Sequence, residues 1–220
     1  MAAVTDTSRA LDAVLFDFGG VFIGSPFEAL AAIGAEKGAT FEQSLEICFG
    51  SYDDDTDHPW HRAERGELGF EAARTEIRAL GVARGFDIDL MEIVAHLGGG
   101  AVKEEMIACV RRVRDAGCVT AIVTNNIIEA RDFWRPLLPL EELFDVVVDS
   151  SEVGIRKPNP RIYELTLEEL GVADPARAAF LDDYAGNVRA AEALGMVGIL
   201  VESDPADAIA AVDRLVGADR

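Results

Sequence analysis

The chain has 220 residues, half of them of the AVILMFWYC type, with 20 Gly and 8 Pro. That is enough for one packed core with room for an inserted subdomain, and it rules out a fibre or a disordered tail. Asp and Glu number 40 against 20 Lys and Arg, a net charge of −20, which argues against nucleic acid and anionic membrane surfaces as partners. The longest basic cluster, Arg111-Arg112-Val113-Arg114, is too short and mixed to reverse this. Three cysteines, Cys48, Cys109 and Cys118, are an odd number without CxxC spacing. They argue against a disulfide framework or zinc ribbon and for a reducing compartment. The first residues carry no apolar signal core, and no apolar run approaches the roughly 20 residues of a membrane helix. The expectation is a cytoplasmic protein.

The first strand is expected over Leu11 to Phe18, where Ala13-Val14-Leu15-Phe16 ends at Asp17 and is closed by Gly19-Gly20. An apolar run of this length suits a strand buried on both faces of a parallel sheet. Helices follow from Pro26 to about Leu97. Phe27, Leu30 and Ile33 recur at helical spacing behind Pro26, and Thr40 with Gln43 has the form of a capping box. Further helices are expected at Trp60–Glu64, Phe70–Leu80 and Asp87–Leu97, and Gly98-Gly99-Gly100 then breaks the chain as a hinge would.

Strands and helices alternate from there on. Met106, Ile107, Val110 and Val113 make an amphipathic stripe that stops at Gly117. Strands are expected at Cys118–Thr124, Asp145–Asp149, Ala178–Leu181 and Val197–Val201, with helices at Asn126–Trp134, Asn159–Leu170 and Gly186–Leu194. A last helix starts at Asp204-Pro205, with Ile209, Val212 and Leu215 inward. The pattern implies an α/β fold with a doubly wound parallel sheet and an inserted helical cap. The core is expected over residues 11–24 and 98–220 and the cap over 25–97.

In such sheets ligands bind beyond the carboxyl ends of the strands. Those ends carry Asp17, Thr124-Asn125 and Asp182-Asp183, and the loop after the third strand carries Lys157. Any one of them alone is as well explained as a turn, strand-end or surface residue. The adjacent Asp182-Asp183 pair is harder to explain so, because neighbouring carboxylates repel unless a cation or strong donors hold them. Mg²⁺ takes hard oxygen ligands, and Asp17, Asp183 and a backbone carbonyl would supply three. A lysine, a hydroxyl and backbone amides suit a phosphoryl group.

Asp17-Phe18-Gly19-Gly20-Val21, Thr124-Asn125, Lys157-Pro158 and Leu181-Asp182-Asp183, in this order at strand ends, resemble the four motifs of the haloacid dehalogenase superfamily. The stretches Gly154–Tyr163 and Phe180–Asp183 resemble the N-terminal phosphatase domain of soluble epoxide hydrolase and its bacterial relatives. The resemblance implies a Mg²⁺-dependent phosphomonoester hydrolase acting on a small phosphorylated substrate, as a monomer or homodimer. By it, Asp17 would be the nucleophile, Thr124 and Asn125 would bind phosphoryl oxygens, and Lys157 would balance charge. Asp183 would bind Mg²⁺ directly, Asp182 directly or through water, and Asp17 and the Gly19 carbonyl would complete the protein ligands.

One departure stands out. Most phosphatases of the superfamily carry a second Asp two residues after the nucleophile as general acid and base. That position is Gly19 here, and general acid–base catalysis is typically worth about 10²–10⁴-fold. Two other readings therefore stay open: a dehalogenase, whose halide leaves without a proton, and a catalytically silent module that binds a phosphorylated ligand or a protein. In the cap, His58 and His61 read as packing residues and His96 as structural. Asp53-Asp54-Asp55-Thr56-Asp57 reads as a solvated acidic loop. Of Phe49, Tyr52 and Trp60, two are expected in the cap's small core and one facing substrate.

Overall fold

The computed structural model describes residues 11–97 and 101–217. The glycine hinge expected at 98–100 lies outside them. Five strands form one parallel sheet in the order β3-β2-β1-β4-β5: β1 (Ala13–Phe16), β2 (Val119–Thr124), β3 (Val146–Asp149), β4 (Ala178–Asp182) and β5 (Val197–Leu200). β1 is central, and every residue of it is buried. Ala13 and Leu15 face one hydrophobic core, Val14 and Phe16 the other. Helices on both faces thus explain why this strand is an unbroken apolar run rather than an alternating one.

Five of the helices between β1 and β2 fall within residues 25–97: α1 (Pro26–Glu36), α2 (Phe41–Cys48), α3 (Pro59–Glu64), α4 (Phe70–Ala83) and α5 (Leu90–Leu97). The insert has a core of its own, including Leu30, Ile47, Phe49, Ile77 and Ile88. Each such fully buried side chain is worth about 1.5–3 kcal/mol over an exposed one. The Ser25 side chain accepts from Phe27 N at 3.2 Å, with Pro26 opening α1. The box at α2 is complete: Gln43 N donates to Thr40 Oγ1 at 3.2 Å and Thr40 N to Gln43 Oε1 at 2.9 Å.

Beyond the insert, α6 (Glu104–Asp115) buries its expected stripe, Met106, Ile107, Val110 and Val113. The helix expected at Asn126–Trp134 is instead a 3₁₀ turn over Ile128–Ala130 running into α7 (Arg131–Trp134). Two further single turns, α8 (Leu140–Leu143) and α9 (Ser150–Val153), are too short to show periodicity. They are followed by α10 (Pro160–Leu170), α11 (Ala185–Ala193) and α12 (Ala206–Val216). In α12, Val212 is buried while Ile209 and Leu215 are half-buried against the core. No helix among the described residues is long and apolar enough to cross a membrane.

Candidate active site

The parallel register sets the site. Phe16 pairs with Leu181 and with Ile122, so the carboxyl ends of β1, β2 and β4 lie side by side. Asp17 N continues the ladder with a 2.8 Å bond to the Leu181 carbonyl. Its carboxylate stands next to Asp182 and Asp183 at the end of β4, and the three offer oxygen atoms within 4.8 Å of one another. The turn after Asp17 depends on Gly20, which has φ 70°. A β-carbon there would lie 2.0 Å from Asp183 Oδ2, so the backbone passes where no side chain fits. The Gly20 carbonyl accepts from Lys103 Nζ at 2.8 Å. Gly19 carries no such demand: a β-carbon on it would rest 3.5 Å from Pro26 Cδ, an ordinary contact.

Lys157 is 1% exposed. Its Nζ lies 2.7 Å from both Asp17 Oδ1 and Asp182 Oδ2. The loop that carries it is fixed from β2. Lys157 N donates to Asn125 Oδ1 at 2.8 Å, and Asn125 Nδ2 donates to the Lys157 carbonyl at 3.0 Å. The Asn125 side chain therefore holds the lysine loop. Thr124 is buried at the end of β2, paired with Asp149. Asp182 also accepts from Tyr184 N at 2.8 Å and from Asn187 Nδ2 at 3.1 and 3.2 Å. Asp183 accepts from the Ser25 hydroxyl.

Three carboxylates crowd together and two of them share one ammonium, and the electrostatics follow. Burial pushes the Asp17 carboxyl up to about 7; Lys157 opposes the shift and Asp182 adds to it. Burial, then Asp182 and Asp17, hold Asp183 well above the usual carboxylate range. Burial alone would lower the Lys157 pKa, but Asp17 and Asp182 outweigh it and raise it. Uncompensated negative charge among hard oxygen donors suits a divalent cation. Asp182 has both oxygens engaged, so Asp17 and Asp183 are the pair best placed to ligate one.

A family model described as haloacid dehalogenase-like hydrolase matches residues 11–195. The chain belongs to the haloacid dehalogenase-like hydrolase family. It is 32% identical to acyl-CoA dehydrogenase family member 10 of Mus musculus over 214 residues, 95% of this chain and 19% of that protein. With bifunctional epoxide hydrolase 2 of Rattus norvegicus it shares 30% over 152 residues, 67% of this chain and 27% of that one. Phosphatase MT3486 of Mycobacterium tuberculosis is 36% identical over 91 residues, 40% of this chain and 41% of that protein. The chain thus spans less than half the length of each of these relatives. A HAD-like family hydrolase of Porphyromonas gingivalis shares the fold, with TM-score 0.64 at 22% identity over 94% of this chain and 98% of that one.

The neighbourhood of the carboxylates holds polar groups that the motifs did not signal. Ser25 and Lys103 brace the turn after Asp17 from the two ends of the insert. With Phe27, Phe41, Tyr184 and Glu202 they line a cavity of about 580 Å³ that opens beside Asp183. Their only sequence signal was position, next to the expected domain boundaries. His58 and His61 stay within the insert. His58 Nδ1 accepts from Trp60 N at 3.2 Å and His61 Nδ1 from Thr56 N at 3.0 Å. Burial pushes their pKa values down, to about 4 and about 3 respectively. His96 is exposed on α5. The acidic loop is partly paired: Asp53 meets Arg189 at 2.9 Å, and Asp55 meets Arg65. Phe49 and Tyr52 are buried in the insert core, with Trp60 half-buried against it.

Proposed function

We propose that the chain is a Mg²⁺-dependent phosphomonoester hydrolase that forms an aspartyl-phosphate on Asp17. Its substrate would be a small phosphorylated metabolite of the cytoplasm. In this reading residues 25–97 are a cap over the core formed by residues 11–24 and 98–220. The observation that carries it is Lys157 Nζ at 2.7 Å from both Asp17 and Asp182, with Asp183 beside them. The relationship to a phosphatase, MT3486, supports it.

The Asp17 carboxylate would attack phosphorus in line, forming the Asp17 Oδ–P bond as the ester P–O bond breaks. Water would then hydrolyse the acyl phosphate, releasing inorganic phosphate and restoring Asp17. Lys157 and the Thr124 hydroxyl would face the phosphoryl oxygens, while Asn125 would act by holding the lysine loop. Asp17, Asp183 and the Gly19 carbonyl would hold Mg²⁺, with Asp182 behind them. The bound cation would supply positive charge against the phosphoryl oxygens. Position 19 offers no proton to the leaving oxygen, so that oxygen must leave as an anion or take a proton from water or the substrate.

Release of p-nitrophenol from its phosphate, with Mg²⁺ and with chelator, tests the reading. A parallel arm with 2-chloropropionate tests dehalogenation. Turnover of the phosphate only with Mg²⁺ is expected. Halide release without metal, or no reaction in either arm, would overturn it.

A further inference from the structure

Arg156 and Lys157 are neighbours in the loop after β3, yet their side chains part. Lys157 enters the carboxylate cluster. Arg156 runs beneath the cap and is 0% exposed. Its Nε donates to Glu64 Oε2 at 2.6 Å and its Nη1 to the Asp54 carbonyl at 3.2 Å. Its guanidinium lies 4.9 Å from the centre of the Tyr52 ring. Glu64, 1% exposed at the end of α3, takes two more donors on its other oxygen. These are the Tyr52 hydroxyl at 3.1 Å and the Trp60 indole at 2.8 Å. Asn125 grips the Lys157 peptide on both sides. The contacts close a ring from Glu64 through Arg156 and Tyr52 back to Glu64, and Arg156 joins that ring to the Lys157 backbone held by Asn125.

We infer that Glu64 is a positioning residue for Lys157, so that the seated cap sets the geometry of the lysine from which it is otherwise remote. The inference rests on the phosphatase reading for its kinetic arm only. A buried ion pair is a poor stabiliser compared with apolar packing, so stability alone does not explain a glutamate and an arginine both shut away from water. A job of fixing direction does. Arg156 sits one residue from Lys157, and a charge pair in a dry interior is sensitive to small displacements. A misplacement of about 1 Å at a reacting centre can cost about 10²-fold in rate. The Lys157 loop is thus supported from two directions, from the cap through Arg156 and from the end of β2 through Asn125.

The test uses the full chain and three variants: Glu64→Gln, Tyr52→Phe, and Glu64→Gln combined with Arg156→Met. The readouts are kcat and KM for p-nitrophenyl phosphate with Mg²⁺, hydrogen exchange over residues 154–159, and melting temperature. Glu64→Gln should lower kcat by about 10- to 100-fold with KM within about twofold, and speed exchange over 154–159 while the sheet stays protected. Tyr52→Phe loses one hydroxyl and should shift both in the same direction by less, which keeps the question open to measurement should Glu64→Gln fold poorly. The double variant leaves no buried charge unpaired, so its melting temperature should recover, while its kcat stays low and its exchange fast. Unchanged exchange over 154–159 in both single variants, or recovery of kcat along with stability in the double variant, would overturn the inference. In a wild type without phosphatase activity, that missing activity sinks only the phosphatase reading and the exchange arm decides alone: faster exchange over 154–159 supports the inference, and unchanged exchange overturns it.

Discussion

Gly20 and Asp183 occupy one place from opposite ends of the chain: a β-carbon on Gly20 would lie 2.0 Å from Asp183 Oδ2. Gly20 also has φ 70°, which costs a residue with a β-carbon about 1–2 kcal/mol. Gly20→Ala should therefore destabilise the protein by at least that much in urea denaturation and push Asp183 out of the cluster. Gly19→Ala is the control, because its β-carbon would meet only Pro26 at 3.5 Å, and it should stay within about 0.5 kcal/mol of wild type. Equal effects of the two substitutions would show that the turn does not depend on this contact.

Asp17→Asn keeps shape and removes charge. Phosphatase activity should fall by about 10³-fold or more, as for loss of a nucleophile. The fold should be no less stable without metal, since burial works against the Asp17 carboxylate. Circular dichroism and a melting curve read the fold, and p-nitrophenyl phosphate reads the activity. Turnover near wild type in this variant would exclude the aspartyl-phosphate.

Mg²⁺ should stabilise the folded protein, by about 5–10 °C in melting temperature at a hundredfold excess over Kd. The pH dependence has a defined sign. The folded-state pKa values of Asp17, about 7, and of Asp183 lie above the ordinary carboxylate value. Without metal the folded state therefore holds these protons more tightly, and stability declines as pH rises from about 4 to about 7. Each group contributes at most about 1.4 kcal/mol per pH unit. Mg²⁺ competes with the same protons, so its stabilisation should grow across that window. Asp183→Ala should abolish the Mg²⁺ shift, and an undiminished shift would place the cation elsewhere.

On the phosphatase reading, Gly19 would leave the departing oxygen without a side-chain acid. Aryl phosphates, whose leaving groups are stable anions, should be turned over much faster than alkyl or sugar phosphates. The room at Gly19 allows Gly19→Asp to be built, and it should speed alkyl esters by about 10-fold or more while changing aryl esters little. The measurement is kcat/KM against leaving-group pKa for both proteins. A flat dependence in the wild type would reveal a donor already in place.

What the sequence made readable was what repeats locally or sits at strand ends. The apolar run of β1, the stripe of α6 and the box at Thr40 each declare an element within a few residues. The register of a parallel sheet then does the rest, bringing Asp17, Thr124 and Asp182 to one rim. Other features are tertiary and leave no local trace. The ring at Glu64 joins α3 to a loop 92 positions away, and nothing in Pro59–Glu64 distinguishes its last residue from an ordinary surface glutamate. Asn125 was expected beside Thr124 at the phosphoryl group, but that its amide grips the Lys157 peptide is a matter of which loops meet. Gly20 could be seen as a turn glycine, while its contact with Asp183 depends on β4 lying beside β1.

The central place of β1 makes the site a product of the whole chain. Asp17 leaves the ribosome first, but its partners on β4 come last, and Ser25 meets Asp183 across 158 positions. A chain halted after β3 would carry Asp17, Thr124 and the helices of residues 25–97, but not Lys157, Asp182 or Asp183. Unfinished or proteolysed copies would thus hold a bare carboxylate and no means to use it, and the chemistry would switch on only when the fourth strand closes beside the first.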